Sequence, residues 1–225
     1  MSMDFDALEL ADNPDPRCPV VIVCDCSDSM VERRPGDDRS PLDALNGGLD
    51  VLISELHNDP LAKRRVEVSI VAFGSQVSPA TDFATVENLV LPTLAPSGAT
   101  SMGAAIEEAI KAITERKKIY KENGIQSYQG VILLITDGIA TDNIENAVKQ
   151  VKEGESRKSF AFFAVGVDGA DANTLNKFSD RGGLMLKGIK FDELFQWLSA
   201  STASVSASTP GDTVPLPSPS GWAEL

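Results

Sequence analysis

The feature that most constrains this chain is the repeated alternation of short, uninterrupted apolar runs with longer stretches of helical periodicity. Val20-Val21-Ile22-Val23-Cys24 is a β-branched run of the kind that fills the middle of a parallel sheet covered on both faces. After a polar loop, Ser40 and Pro41 read as N-cap and first helical position, and Leu42, Leu45, Leu49, Leu52 and Leu56 follow at spacings of three and four. That spacing predicts a helix with one apolar stripe. Further strands are predicted over Val66–Phe73, Val131–Thr136, Phe160–Val167 and Leu184–Leu186, with a short edge strand around Gln76–Phe83. Helices are predicted over Ser101–Lys121, Asp142–Lys152, Ala172–Phe178 and Phe191–Ser199.

Strands separated by helices of this length need crossover connections. The predicted fold is therefore α/β: a three-layer αβα sandwich around a mostly parallel central sheet with one short antiparallel edge strand. In such folds ligands sit beyond the carboxyl ends of the strands, which is where chemistry is sought.

A domain over residues 18–201 is expected, preceded by an N-terminal segment 1–17. Past Ser199 the sequence turns to Ser, Thr and Ala and then to Pro210, Pro215, Pro217 and Pro219, so 202–225 is expected to be a flexible Ser/Thr/Pro-rich tail with Trp222 as its one large side chain. The longest apolar runs fall far short of the roughly 18 to 20 residues that a membrane-spanning helix needs. Asp4, Asp6 and Glu9 stand where a secretory signal would be basic and then apolar, which gives a cytoplasmic expectation. Three cysteines, Cys18, Cys24 and Cys26, are expected to stay reduced. A net charge of −13 repels phosphate backbones, so nucleic acid is not an expected partner.

The chemistry-bearing residues gather at predicted strand ends. After the first strand comes Asp25-Cys26-Ser27-Asp28-Ser29, one carboxylate followed by hydroxyls at alternate positions. Residues i and i+2 of an extended chain lie on one side, roughly 6 to 7 Å apart, so a turn there can bring Ser27 and Ser29 onto one ion. A later strand ends in Ile135-Thr136-Asp137-Gly138, and Thr100 leads into the long helix. Oxygen-only donors with few carboxylates suit Mg²⁺ or Mn²⁺, and neutral hydroxyls leave such an ion positive enough to accept a carboxylate from a partner.

Asp25, Ser27, Ser29, Thr100 and Asp137, in that order, resemble the metal-ion-dependent adhesion site of the von Willebrand factor A domain, written Asp-x-Ser-x-Ser, then Thr, then Asp. The resemblance spans residues 18 to 200. It implies a Rossmann-like sandwich and direct ligation by Ser27, Ser29 and Thr100, with Asp25 and Asp137 acting largely through water. It also implies an adaptor function, in which a protein partner supplies Asp or Glu to the metal. The runs Asp-Cys-Ser-Asp-Ser-Met and Ile-Thr-Asp-Gly and the ending Phe-Asp-Glu-Leu-Phe-Gln-Trp-Leu-Ser-Ala-Ser are similar to the bacterial tellurite-resistance TerY type. That similarity implies a role in tellurite or chemical-stress resistance, alongside kinase or phosphatase proteins.

Two departures from the family pattern stand out. Asp28 replaces the usual Gly between the serines, either as a turn residue or as added charge beside the site. The loop Val31–Ser40, carrying Glu32, Arg33, Arg34, Asp37, Asp38 and Arg39, is longer than usual and either tunes partner choice or is simply solvated. A metal-dependent phosphoryl-transfer enzyme is the rival class. An aspartyl-phosphate enzyme would want a second Asp two residues after the first, where Ser27 stands, and neither a nucleophile elbow nor a phosphate loop is present. His57 is the sole histidine, so no catalytic residue is expected. A scaffold that needs no metal remains the third reading.

Overall fold

A computed structural model describes residue 10 and residues 12–219 and 221–224. The chain runs through β1 (Cys18–Asp25), a 3₁₀ turn (Asp28–Val31), α1 (Pro41–Asn58), α2 (Ala62–Arg65), β2 (Val66–Phe73), β3 (Val77–Thr85) and α3 (Met102–Glu122). It continues through β4 (Gly130–Thr136), α4 (Glu145–Ser156), β5 (Phe160–Gly166), α5 (Ala172–Leu175), β6 (Gly183–Leu186), α6 (Phe191–Ser206) and β7 (Ala223–Glu224).

Among the described residues these strands form one seven-stranded sheet in the order β3-β2-β1-β4-β5-β6-β7. β2, β1, β4, β5 and β6 are parallel, and an antiparallel strand lies at each edge: β3 on β2 and β7 on β6. The three-layer expectation holds, with one antiparallel edge more than predicted.

The period of two along each strand divides the core. Val20, Ile22 and Cys24 of β1 and Val131, Leu133 and Ile135 of β4 face a cluster completed by Leu42, Leu45, Leu49, Phe191, Leu194 and Phe195 of α1 and α6. Val21 and Val23 of β1 and Ile132 and Leu134 of β4 face the opposite cluster, with Met102, Ile106 and Ala109 of α3 and Val151 of α4. A strand buried on both faces has no polar side to show, which is why β1 and β4 read as continuous apolar runs.

Helix starts follow local chemistry. Ser40 caps α1 by accepting from Asp43 N at 3.1 Å while its hydroxyl donates to Asp43 Oδ2 at 2.8 Å, and Pro41 takes the first helical position as predicted. Asp142, expected to open a helix, lies outside α4. Its carboxylate instead accepts from Gly103 N and Ala104 N at 3.0 and 2.9 Å, capping the neighbouring α3.

The tail differs from its expectation. α6 runs on through Ser/Thr residues to Ser206, because these hydroxyls fold back on the preceding turn: Ser201 donates to Trp197 O at 2.7 Å and Thr202 to Leu198 O at 3.0 Å. So bonded, Ser201, Thr202 and Ser206 are buried. Further on, the Trp197 indole donates to Pro217 O at 2.8 Å, and Trp222 is buried 5.4 Å from the Trp197 ring. The last helix thus runs past the boundary expected at 201, and Trp222, expected within a free tail, is buried against the domain.

Of the N-terminal segment, residues 1–9 and 11 lie outside the described residues. Leu10 and Arg17 are buried, so packing begins ahead of the predicted boundary at 18.

Candidate metal centre

β1 and β4 are neighbours in the sheet, yet the chain leaves β1 towards β2 on one side and β4 towards β5 on the other. Loops that diverge in this way leave a crevice at their carboxyl ends. All five residues singled out from the sequence line it.

Asp25, the last residue of β1, is fully buried. Its Oδ1 accepts from Ser27 N at 2.8 Å and its Oδ2 from the Thr136 hydroxyl at 2.5 Å. Burial raises its pKa above the ordinary carboxylate value, hydrogen bonds from Ser27 and Thr136 oppose the shift, and the nearby Asp137 adds to it. A second carboxylate facing a buried one is a place where positive charge is stabilised.

Ser29 donates its hydroxyl to Asp137 Oδ1 at 2.7 Å. The Ser29 proton is then committed, so in the 3.1 Å contact between the Ser27 and Ser29 hydroxyls Ser27 is the donor. The result is a directed chain from Ser27 through Ser29 to Asp137. Thr100 enters from the loop before α3, fixed by its N–H to the Thr141 hydroxyl at 3.2 Å and by Thr141 N to its carbonyl at 2.9 Å.

Gly138 makes room for this convergence. A Cβ on Gly138 would sit 3.0 Å from Thr100 Oγ1 and 3.5 Å from Asp25 Oδ2. Its φ is not left-handed, so the requirement for glycine here is space rather than backbone freedom.

Asp28 takes its place as a turn residue. Its N–H donates to Gly98 O at 2.9 Å and its Oδ1 accepts from Gly98 N at 3.1 Å, which ties the first loop to the loop carrying Thr100. Gly98 has φ +73°, the left-handed turn conformation that glycine adopts without strain.

The donor set fits a hard divalent cation. Adjacent vertices of an octahedron with bonds of 2.0 to 2.1 Å are about 2.9 Å apart. The 3.1 Å spacing of the Ser27 and Ser29 oxygens approaches that value. Among the described residues no group of three or more His, Cys, Asp or Glu side chains is arranged to hold a metal; the oxygens gathered at this crevice are the hydroxyls of Ser27, Ser29 and Thr100 and the carboxylates of Asp25 and Asp137.

Sequence reasoning named the five residues but missed two of their partners. Thr136, which secures Asp25, is one. Arg34, from the long loop after β1, is the other: its Nη2 lies 2.7 Å from Asp137 Oδ2 and 2.6 Å from Asp168 O. The signal for Arg34 was the unusual loop itself.

Residues away from the crevice behave as ordinary structure. All three cysteines are free and buried, and burial pushes Cys18 and Cys26 up to about 12. His57 is in the last turn of α1, on the side of the helix dipole that favours a cation. A cavity of about 730 Å³ lies at the opposite ends of β4 and β5, beneath residues 211–219, and shares no residue with the crevice. Among the described residues no helix is long and apolar enough to cross a membrane.

Comparison with known proteins gives a consistent result. The profile of the von Willebrand factor type A domain matches residues 20–195. A von Willebrand factor type A structure from Catenulispora acidiphila superposes with a TM-score of 0.61 at 16% identity, covering 84% of this chain and 43% of its own. The pilus adhesin SpaC from Lactobacillus rhamnosus GG gives 0.65 at 13%, covering 84% and 31%. Proximal thread matrix protein 1 from the mussel byssus, in a structure with a zinc-occupied MIDAS motif, gives 0.58 at 13%, covering 84% and 48%. The chain thus spans less than half the length of these structures, and at such identities the likeness speaks for the fold. No curated protein matches the sequence. With the profile spanning most of the sheet and helices, and the superpositions repeating their arrangement, the chain belongs to the von Willebrand factor type A domain family.

Proposed function

We propose that the crevice is a Mg²⁺ or Mn²⁺ site through which this domain binds a protein partner. Ser27, Ser29 and Thr100 would hold the cation directly, with Asp25 and Asp137 acting largely through water. The observation that carries this reading is the Ser27–Ser29–Asp137 hydrogen-bond chain, which places two hydroxyls and a carboxylate side by side at the switch point of the sheet. A divalent cation supplies an open coordination position for a carboxylate. The three hydroxyls add no charge, so they leave that position attractive to an Asp or Glu of a partner.

The same residues argue against catalysis. Asp25 is fully buried and both its oxygens accept hydrogen bonds, so it is poorly placed as a nucleophile. At finer grain, the similarity of the Asp25–Met30 and Ile135–Gly138 runs to the TerY type supports an adaptor role in bacterial tellurite or chemical-stress resistance, with kinase or phosphatase proteins as partners. Three free buried thiols suit a reducing compartment such as the cytoplasm.

Calorimetric titration with Mn²⁺ and Mg²⁺ tests the site. Wild type should bind one cation, and Asp137→Ala should lose most of that affinity. Unchanged binding in Asp137→Ala would remove the crevice from consideration and leave a metal-independent scaffold.

A further inference from the structure

The guanidinium of Arg34 joins three strand-end loops. It lies 2.7 Å from Asp137 Oδ2 after β4, donates from Nη2 and Nε to Asp168 O after β5 at 2.6 and 3.2 Å, and bonds through Nη1 to Glu32 O of its own loop at 3.0 Å. The Asp137 side chain is fully buried and the Arg34 side chain is 20% exposed. A buried carboxylate requires a partner, and among the described residues Arg34 is the cationic side chain within 4 Å of it. With Ser29 on Oδ1 and Arg34 on Oδ2, both Asp137 oxygens are engaged.

We propose that Arg34 is a tethered counter-cation of the crevice: it neutralises Asp137 when no divalent ion is bound and must withdraw from Oδ2 as one binds, so that the loop 31–40 reports cation occupancy. This rests on the cation site proposed above. Two positive charges drawn to one carboxylate within a few Å repel each other, and the mobile partner is the one on the loop. Release is easy to accommodate. Arg33, Pro35, Gly36 and Asp38 are exposed, and no regular element holds the chain between Glu32 and Ser40. Gly36, with φ +99°, has nothing within 4 Å of a Cβ, so the loop's tip makes no packing contact there.

By linkage, whatever the cation does to Arg34, Arg34 does to the cation. The guanidinium lowers the crevice's cation affinity, and cation binding frees a basic side chain beside the coordination position that would receive a partner's carboxylate. The long loop would then present Arg34 to an acidic partner only when the cation is in place.

The test is Mn²⁺ titration of the full chain in four forms. Arg34→Ala should tighten binding by about tenfold, the order expected for removing one competing charge at close range. Arg33→Ala, an exposed neighbour with the same loss of charge, should change it less than twofold. Arg34→Lys, which keeps the charge but not the planar fork, should fall between wild type and Arg34→Ala. In ¹⁵N-labelled wild type, the Arg34 Nε–H resonance should shift with Mg²⁺ along the calorimetric binding curve. Equal or weaker binding by Arg34→Ala, or an Arg33→Ala effect of the same size, would overturn the proposal while leaving the cation site intact if Asp137→Ala still abolishes binding. Absence of cation binding in both wild type and Arg34→Ala would overturn both readings together.

Discussion

Glu67, at the start of β2, accepts from the Arg17 guanidinium at 2.9 Å, and neither side chain is exposed. The other carboxylate oxygen takes Arg116 Nε at 2.7 Å and the Tyr120 hydroxyl at 2.6 Å, both from α3. One acid thereby fastens the segment before β1 to β2 and to the long helix, at the end of the sheet away from the crevice.

Removing that acid takes the carboxylate away from two buried guanidinium groups and from the Tyr120 hydroxyl. Glu67→Ala should destabilise the domain by about 3–5 kcal/mol, the usual cost of breaking a buried ion pair by deleting one partner. Urea denaturation followed by far-UV circular dichroism would measure it. Cation affinity at the distant crevice should change little in the fraction that remains folded.

Gly138→Ala probes the crevice without touching a charge. A methyl group 3.0 Å from Thr100 Oγ1 requires that hydroxyl to give way by a few tenths of an ångström. Calorimetry should show Mn²⁺ affinity reduced severalfold, with a melting temperature close to that of wild type in the absence of cation. An unchanged affinity would take Thr100 out of the donor set.

The thiols give a pH prediction. Burial raises Cys18 and Cys26 to about 12 and Cys24 well above its ordinary value, so none is a thiolate near neutrality. Native protein at pH 8 should leave an aromatic disulfide reagent unconsumed, and denatured protein should consume three equivalents, one per cysteine. The folded pKa lies above the unfolded one. The contribution to stability is therefore complete below pH 9 and falls as pH rises from there toward 12. Denaturation midpoints measured at pH 7.5 and 10.5 should differ in that direction.

The segment after α6 packs on the domain through Trp197, which bonds Pro217 O and lies against Trp222. Trp222 is buried, while its indole N–H has no hydrogen-bond partner, so its contribution is packing. Trp222→Ala should cost about 3–5 kcal/mol, and Trp222→Phe markedly less, in urea titrations. A loss below about 1 kcal/mol on Trp222→Ala would restore the free tail expected from composition.

What could be read in advance follows from how far each signal reaches along the chain. Apolar periodicity is local, so β1, β2, β4 and β5 and the face of α1 were legible, and the order of crossovers followed from them. Asp25, Ser27 and Ser29 form a local motif, and Thr100 and Asp137 could be added because they flank predicted elements. The bonds that organise the rest are long-range. Arg34 meets Asp137 across 103 positions, Arg17 meets Glu67 across 50, and Asp142 reaches Gly103 across 39. No periodicity connects such residues. The misreading of α6 has a different cause: Ser and Thr are weak helix formers by propensity, but here their hydroxyls are satisfied by the preceding turn and their small volume suits a buried face.

The two margins of the sheet are finished in different ways, and this bears on how the protein behaves at high concentration. β3 carries Pro79 and irregular register against β2, features that spoil it as a template for a passing strand. β6 is short and plain, and Met185 and Leu186 are paired with Glu224 and Ala223. Ala223 and Glu224 therefore cover that margin of β6. A protein trimmed back to 219 would present an open, apolar strand to its neighbours, and its characteristic fault would be self-association into larger particles rather than simple unfolding.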